Sequence, residues 1–249
     1  MSPTVYLPAT PPTVGRVERW AGASGALASV LIFMSGAFAP GPPSHGGTDA
    51  ALLAHFRTYY DGTMRGVFVW MLGAMAVLVF AAVVARRAER ATRAAGGEPG
   101  VLPTVTLLMA VTAVGMLVAA QAGAAATAAV GHHATDAAIP RALDEFGHML
   151  AHLSVIPLGL FSVAAGLTLR EAQVGARWLA WLGVAIGLEM AATGAWVVFG
   201  GDLLHNVGGG IGWLGSFLWW IAVSVALVRG VASRRAPAAD AVASQTVAA

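Results

Sequence analysis

The residues best suited to chemistry fall in one short run, Asp144-Glu145-Phe146-Gly147-His148-Met149-Leu150-Ala151-His152. On a helix turning about 100° per residue, Glu145, His148 and His152 stand at i, i+3 and i+7, within about 60° of one another. A carboxylate and two imidazoles on one face form a donor set for a divalent metal such as zinc or iron, and His at i and i+4 is a known ligand spacing. Further ligands would come from His132, His133, Asp202 or His205 on other segments; the metal set read from the sequence is Glu145, His148, His152 and His205. A bis-histidine haem between His152 and His205 is a second cofactor this arrangement admits. The competing reading is an interfacial cap, in which these groups solvate a helix end and pair with one another.

Glu189 is the second candidate, as a buried acid. It sits in the middle of an apolar stretch, where a charged side chain costs about 2.5–3.5 kcal/mol on insertion scales. A protonated carboxyl facing a bundle interior or a water-filled cavity is the expected form. Its helix face carries Ala185, Ala192, Thr193 and Trp196. Gln121, Ser154 and Ser162 are candidate partners, and Pro157 frees a backbone carbonyl at similar depth. Such a group accepts or donates a proton, contacts a ligand, or simply ties helices together by hydrogen bonds. Weaker signals are the run Asp202-Leu203-Leu204-His205-Asn206-Val207-Gly208-Gly209-Gly210, read as a tight connector or a glycine lid, and Tyr59-Tyr60, read as an interfacial belt or a pocket rim.

The elements that must position these residues follow from composition. Of 249 residues, 57% are hydrophobic and 10% charged, against about 25% charged in a soluble domain. Mean hydropathy is +0.73. These values exclude a soluble enzyme, a nucleic-acid-binding domain and a disordered chain, and point to a polytopic membrane protein. There is no cysteine, so disulfides, thiolate metal sites and cysteine nucleophiles are excluded. All 14 basic residues are Arg, which removes Schiff-base chemistry on Lys.

A spanning helix needs about 20 mostly apolar residues. Six stretches qualify: 21–39, 66–85, 101–130, 149–169, 178–200 and 211–228. The fold class is therefore an all-α membrane bundle of six transmembrane helices within residues 16–230. Residues 1–15 and 231–249 read as disordered tails. With the N-terminus in the cytoplasm, 11 Arg lie on the inner side and 3 on the outer, so the positive-inside rule puts both termini inside. All seven His then fall on the outer side: His45, His55, His132, His133, His148, His152 and His205. Trp20, Trp70, Trp178, Trp181 and Trp213 read as interfacial anchors. The Ala37-Phe38-Ala39 ending of the first span resembles a signal-peptide cleavage site, but the apolar run and its leader are long for one, and a retained helix is expected.

Residues 51–60 read as a short interfacial helix in the first outer loop, and residues 86–100 as a basic connector with a Gly/Pro-rich end. Small residues crowd the third span, including Ala119, Ala120, Ala122, Gly123 and Ala124. They predict close helix packing within the chain, or a homo-oligomer through these Ala/Gly faces. No internal repeat is visible.

Several runs carry a family resemblance. They are Ala54-His55-Phe56-Arg57-Thr58-Tyr59-Tyr60, Arg86-Arg87-Ala88-Glu89, Ile156-Pro157-Leu158-Gly159-Leu160 and Arg177-Trp178-Leu179-Ala180-Trp181-Leu182-Gly183. Over residues 20–230 the chain resembles a family of uncharacterised bacterial six-helix integral membrane proteins. That resemblance implies a helical bundle in the bacterial inner membrane and no particular activity or site residue.

Three functions follow from these residues. The first is a binding, sensing or accessory role using the His/acid-rich outer cap and Glu189, with the bilayer and a hydrophobic small molecule as partners and no nucleic acid. The second is a membrane enzyme, metal-dependent or acid-base, acting on a lipid-like substrate at the outer leaflet, with Glu189 as candidate catalytic acid. The third is a small proton or solute transporter using Glu189.

Overall fold

The computed structural model describes residues 16–41, 47–199 and 202–229. The expected tails, and His45, lie outside the described residues, as do the side chains of Asp202 and His205. The described residues form seven helices and no strand: α1 (Arg16–Gly22), α2 (Ser24–Ser35), α3 (Asp49–Ala94), α4 (Leu102–His133), α5 (Ala138–Glu171), α6 (Arg177–Phe199) and α7 (Asp202–Arg229). Five are long and apolar enough to cross a membrane, namely α3, α4, α5, the Arg177–Ala195 part of α6 and the Gly210–Arg229 part of α7. α2 is a shorter apolar helix, separated from α1 by a turn at Ala23.

Several helices run past the apolar windows that define the spans. α3 has 46 residues, about 69 Å at about 1.5 Å per residue, more than twice a hydrocarbon core of about 30 Å. Its first section is the helix expected over residues 51–60, joined to the apolar section through a kink at Tyr59 (φ −110°, ψ 15°). At the other end it continues through residues 86–94, where a connector was expected. Ala and Arg favour helix there, and Arg93 pairs with Glu89 one turn earlier at 3.5 Å. The run 202–210, expected as a connector or lid, is also helical and opens α7.

Successive helices pack as neighbours, and α2 lies against both α3 and α7, so the helices close a ring. At its centre Phe80 of α3 meets Phe161 of α5 and Trp219 of α7 edge to face, at centroid distances of 6.4 and 6.3 Å. All three are fully buried, and the Trp219 indole donates to the Leu179 carbonyl at 2.8 Å. That bond satisfies a polar group that would otherwise be costly in an apolar interior. Trp70, expected as an interfacial anchor, is 8% exposed and belongs to this core, whereas Trp20 and Trp178 stand 70% and 64% exposed.

Glycine sets the closest crossings. A Cβ on Gly159 of α5 would collide with the Gly187 carbonyl of α6, and the reverse also holds. Backbones this close gain dispersion where no hydrophobic force operates between helices. The small residues of α4 are used in the same way: a Cβ on Gly123 would lie 3.2 Å from Gly147 Cα of α5. α2 is tied in by polar contacts, with Ser29 donating to the Phe217 carbonyl at 3.2 Å and the Ala26 amide donating to Ser224 Oγ at 3.1 Å. The Ala26 amide is one of the first-turn donors that has no partner within its own helix. The outward faces carry Phe68, Leu108, Leu188 and Leu218, each more than half exposed. That much apolar surface is the lipid-facing side of a multi-pass membrane protein.

Candidate functional site

The start of α3, the end of α4 and the start of α5 build the polar region. The Gly123–Gly147 crossing presses the start of α5 against α4. Asp144, one turn before Gly147, thereby comes to the same cavity as Gln121 and Ala124 of α4. On α3, a Cβ at Gly62 would strike the Phe38 carbonyl, and one at Gly66 would lie 3.0 Å from the Ser35 carbonyl. These two glycines let the 35–40 segment lie directly on α3. The result is a cavity of about 170 Å³ walled by His55, Phe56, Thr63 and Trp70 of α3, Gln121 of α4, Asp144 of α5, and Ser35, Gly36, Ala39 and Pro40.

His55 is the titratable base of this cavity. Its ring packs against Phe56 at 5.3 Å and Tyr59 at 5.0 Å between centroids, and the residue is 9% exposed. Burial pushes its pKa below the ordinary 6.5, and the Asp144 carboxylate pulls partly the other way. The section of α3 bearing His55 precedes the apolar stretch and is anchored by polar contacts. Arg141 of α5 grips Asp49 through Nη2 at 2.5 Å and Nε at 3.1 Å, and donates to the Gly47 carbonyl at 3.1 Å. Arg57 donates to the Ala134 carbonyl at 2.6 Å. Beneath them Leu52 and Phe56 pack on Ala128 with Tyr60 alongside, and Gly131 clears the space that Phe56 occupies.

The His148/His152 pair is brought together as the helical spacing predicted. The two Nε2 atoms lie 2.6 Å apart, with the rings nearly perpendicular at 85°. One nitrogen donates and the other accepts. Two nitrogens sharing a tetrahedral zinc, each bonded at about 2.0–2.1 Å, would stand roughly 3.3 Å apart, so the pair must open before it can chelate. Glu145 is exposed on the same turn. Among the described residues no three His, Cys, Asp or Glu side chains converge as a metal site. His132 and His133 meet edge to face at 4.6 Å, His132 also packs at a tilt on Tyr60 at 4.8 Å, and His132 Nδ1 is buried with no hydrogen bond among the described residues.

Glu189 lies elsewhere, between α6 and α7. Its Oε1 accepts from Thr193 Oγ1 at 3.0 Å, one turn along its own helix. Its Oε2 is buried without a hydrogen bond among the described residues, and Gly212 of α7 packs directly over it. The partners expected from the sequence are engaged in other places. Gln121 lines the cavity at His55, while Ser154 and Ser162 donate back to Ala151 and Leu158 carbonyls of α5. Neither Glu189 nor the His148/His152 pair lines the cavity.

The meeting of His55, Asp144 and Gln121 was not foreseen, although both titratable residues belong to the outer polar set. The adjacent carboxylates Asp144-Glu145 carried a signal: on a helix, neighbours 100° apart cannot both face the same environment. No protein-family model, curated protein or solved structure matches the chain.

Proposed function

We propose that this is a bacterial inner-membrane protein with six crossings and both termini cytoplasmic, acting as a binding or sensing protein through the outer cavity. The observation that carries the reading is the convergence of His55, Gln121 and Asp144 from three helices under the 35–40 segment. A carboxylate, an amide and an imidazole kept mostly neutral suit a small cation or hydrogen-bond donor. The volume, about 170 Å³, is below the range of about 300–1,000 Å³ typical of drug-sized ligands, so an acyl chain is not the occupant. That size argues against an outer-leaflet lipid as substrate at this cavity. The packing of α2 between α3 and α7 supports counting α1 and α2 together as the sixth crossing, retained after membrane insertion.

Methylammonium is a suitable probe. A ligand present at about 100 times its Kd stabilises the folded state by about 2.7 kcal/mol. Methylammonium is expected to raise the unfolding midpoint of the detergent-solubilised protein and to leave an Asp144→Asn variant unmoved. Equal response, or none in either, refutes the cavity as a cation site. Sidedness is testable because the chain has no Cys. Thr58→Cys is expected to react with an impermeant maleimide from outside the cell, and Glu98→Cys only after permeabilisation.

The 2.6 Å contact between His148 and His152 favours one second reading, a metal-dependent or acid-base membrane enzyme. Its test is elemental analysis of protein prepared without a His tag, beside a His148→Ala/His152→Ala variant. One metal per chain, lost in the variant, would place that reading first.

A further inference from the structure

A second cavity lies at the opposite end of the bundle, around the turn between α5 and α6. It measures about 690 Å³ and is lined by Leu102 and Leu169, by Arg170, Glu171 and Gln173, and by Arg177 at the start of α6, among others. The turn is held open by two left-handed residues, Gln173 at φ 53° and Gly175 at φ 78°. Arg170 lies over the Trp181 ring with Cζ 4.7 Å from its centroid. Among the described residues neither Arg170 nor Arg177 is held in an ion pair. Glu171 is the one acid on the wall, and its Oε1 lies toward Gly100, 3.3 Å from where a Cβ there would stand. The beginning of α6 adds the positive end of a helix dipole to the two guanidinium groups.

We infer that this cavity binds the phosphodiester headgroup of an anionic membrane lipid. Guanidinium groups match phosphate oxygens in charge and in paired donor geometry. The lipid source follows from what adjoins the cavity. Trp178, Trp181 and Leu188 are 64%, 43% and 57% exposed, and they fall at i, i+3 and i+10 on one outward face of α6. Arg170 joins the cavity to that face through its stack on Trp181. A headgroup held by Arg170 and Arg177 would lay its acyl chains along this apolar stripe. Basic pockets between transmembrane helices are recurrent sites for anionic headgroups.

The test is lipid retention. The protein is reconstituted in bilayers of equal phosphatidylglycerol and phosphatidylcholine, extracted into mild detergent, and its bound lipid identified by mass spectrometry. Wild type is expected to retain phosphatidylglycerol in preference to phosphatidylcholine. Arg170→Gln/Arg177→Gln is expected to lose that preference roughly thirtyfold, the order set by removing two interfacial charges. Arg86→Gln/Arg229→Gln removes two exposed charges outside the cavity and is expected to retain it. Retention unchanged in the cavity variant, or lost equally in the control, overturns the assignment. Glycerophosphoglycerol and inorganic phosphate form the second arm. Displacement of the retained lipid by either one at equimolar concentration would show that the acyl chains add nothing to binding and would overturn the lipid assignment. If the double variant does not fold, Arg177→Gln alone carries the test, with a roughly fivefold loss expected and none overturning it.

Discussion

The contact between Glu189 and Gly212 yields a prediction that isolates one side chain. A Cβ at position 212 would run into Glu189 Oε2 and stand 2.8 Å from Met190 Cγ. Two opposed effects follow from Gly212→Ala. Replacing a helical glycine with alanine stabilises by roughly 0.5–1 kcal/mol. The Glu189 carboxyl is buried and held at Oε1 by Thr193, so overpacking against it costs about 1–3 kcal/mol. In the wild-type background the sum is a loss of up to about 2 kcal/mol. In a Glu189→Ala background the carboxyl is gone and only Met190 remains, a flexible side chain that gives way at little cost. There Gly212→Ala is expected to be neutral or slightly stabilising. The double-mutant cycle should therefore show a coupling of about 1–3 kcal/mol. The assay is equilibrium unfolding in mixed micelles of mild detergent and dodecyl sulfate, followed by far-ultraviolet circular dichroism. A coupling under about 0.5 kcal/mol, the ordinary error of additivity, would refute the placement of Glu189 against α7.

Three further outcomes are expected. Gly187→Ala sets a methyl group against the Gly159 carbonyl and the Val163 amide, and backbone cannot yield as a side chain does, so a loss at the upper end of about 1–3 kcal/mol is expected in the same unfolding assay; a neutral result sinks the close α5–α6 crossing. Because burial depresses the His55 pKa, the unfolded chain takes up that proton first as pH falls through 6.5. Stability is thus complete above 6.5 and declines below it until the folded group also protonates; His55→Gln should flatten that limb of the unfolding midpoint against pH, and an unchanged profile excludes His55 as its source. Arg141→Gln removes an ion pair whose Asp49 side chain is 68% exposed, so it is expected to cost no more than about 1 kcal/mol, and a loss beyond about 2 kcal/mol would show the outer clamp to be far stronger than a solvated pair.

How much of this was legible in the sequence depends on whether the information was local. The five long spans were legible because a 20-residue apolar run has few alternatives in a bilayer. Their ends were not, because hydropathy measures where lipid stops and not where helix stops. Residues 86–94 continue as helix on the propensity of Ala and Arg, and residues 202–210 do so in spite of three consecutive glycines. The His148/His152 contact was legible for the same local reason, since one helical turn separates the two rings. So was the Thr193 bond to Glu189, which obeys the i, i+4 rule, although the expectation looked across helices to Gln121, Ser154 and Ser162.

The cavity at His55 was illegible because its parts are joined by crossings that carry no side-chain signal. Gly123 and Gly147 decide where α5 meets α4, and Gly62 and Gly66 decide where the 35–40 segment meets α3. In each case the informative residue has no side chain, and a glycine read from sequence does not say which backbone it admits. Those four positions nonetheless determine that Asp144 shares a cavity with His55 while Glu145, its neighbour, stays exposed. The division of labour between two adjacent carboxylates is therefore set by helix packing and not by their own chemistry. Enlarging Gly123 or Gly147 would shift Asp144 relative to His55 without touching either residue. The His55-dependent part of the pH profile is the readout that would detect it, and an unmoved profile in a folded Gly147→Ala variant would separate the cavity from that crossing.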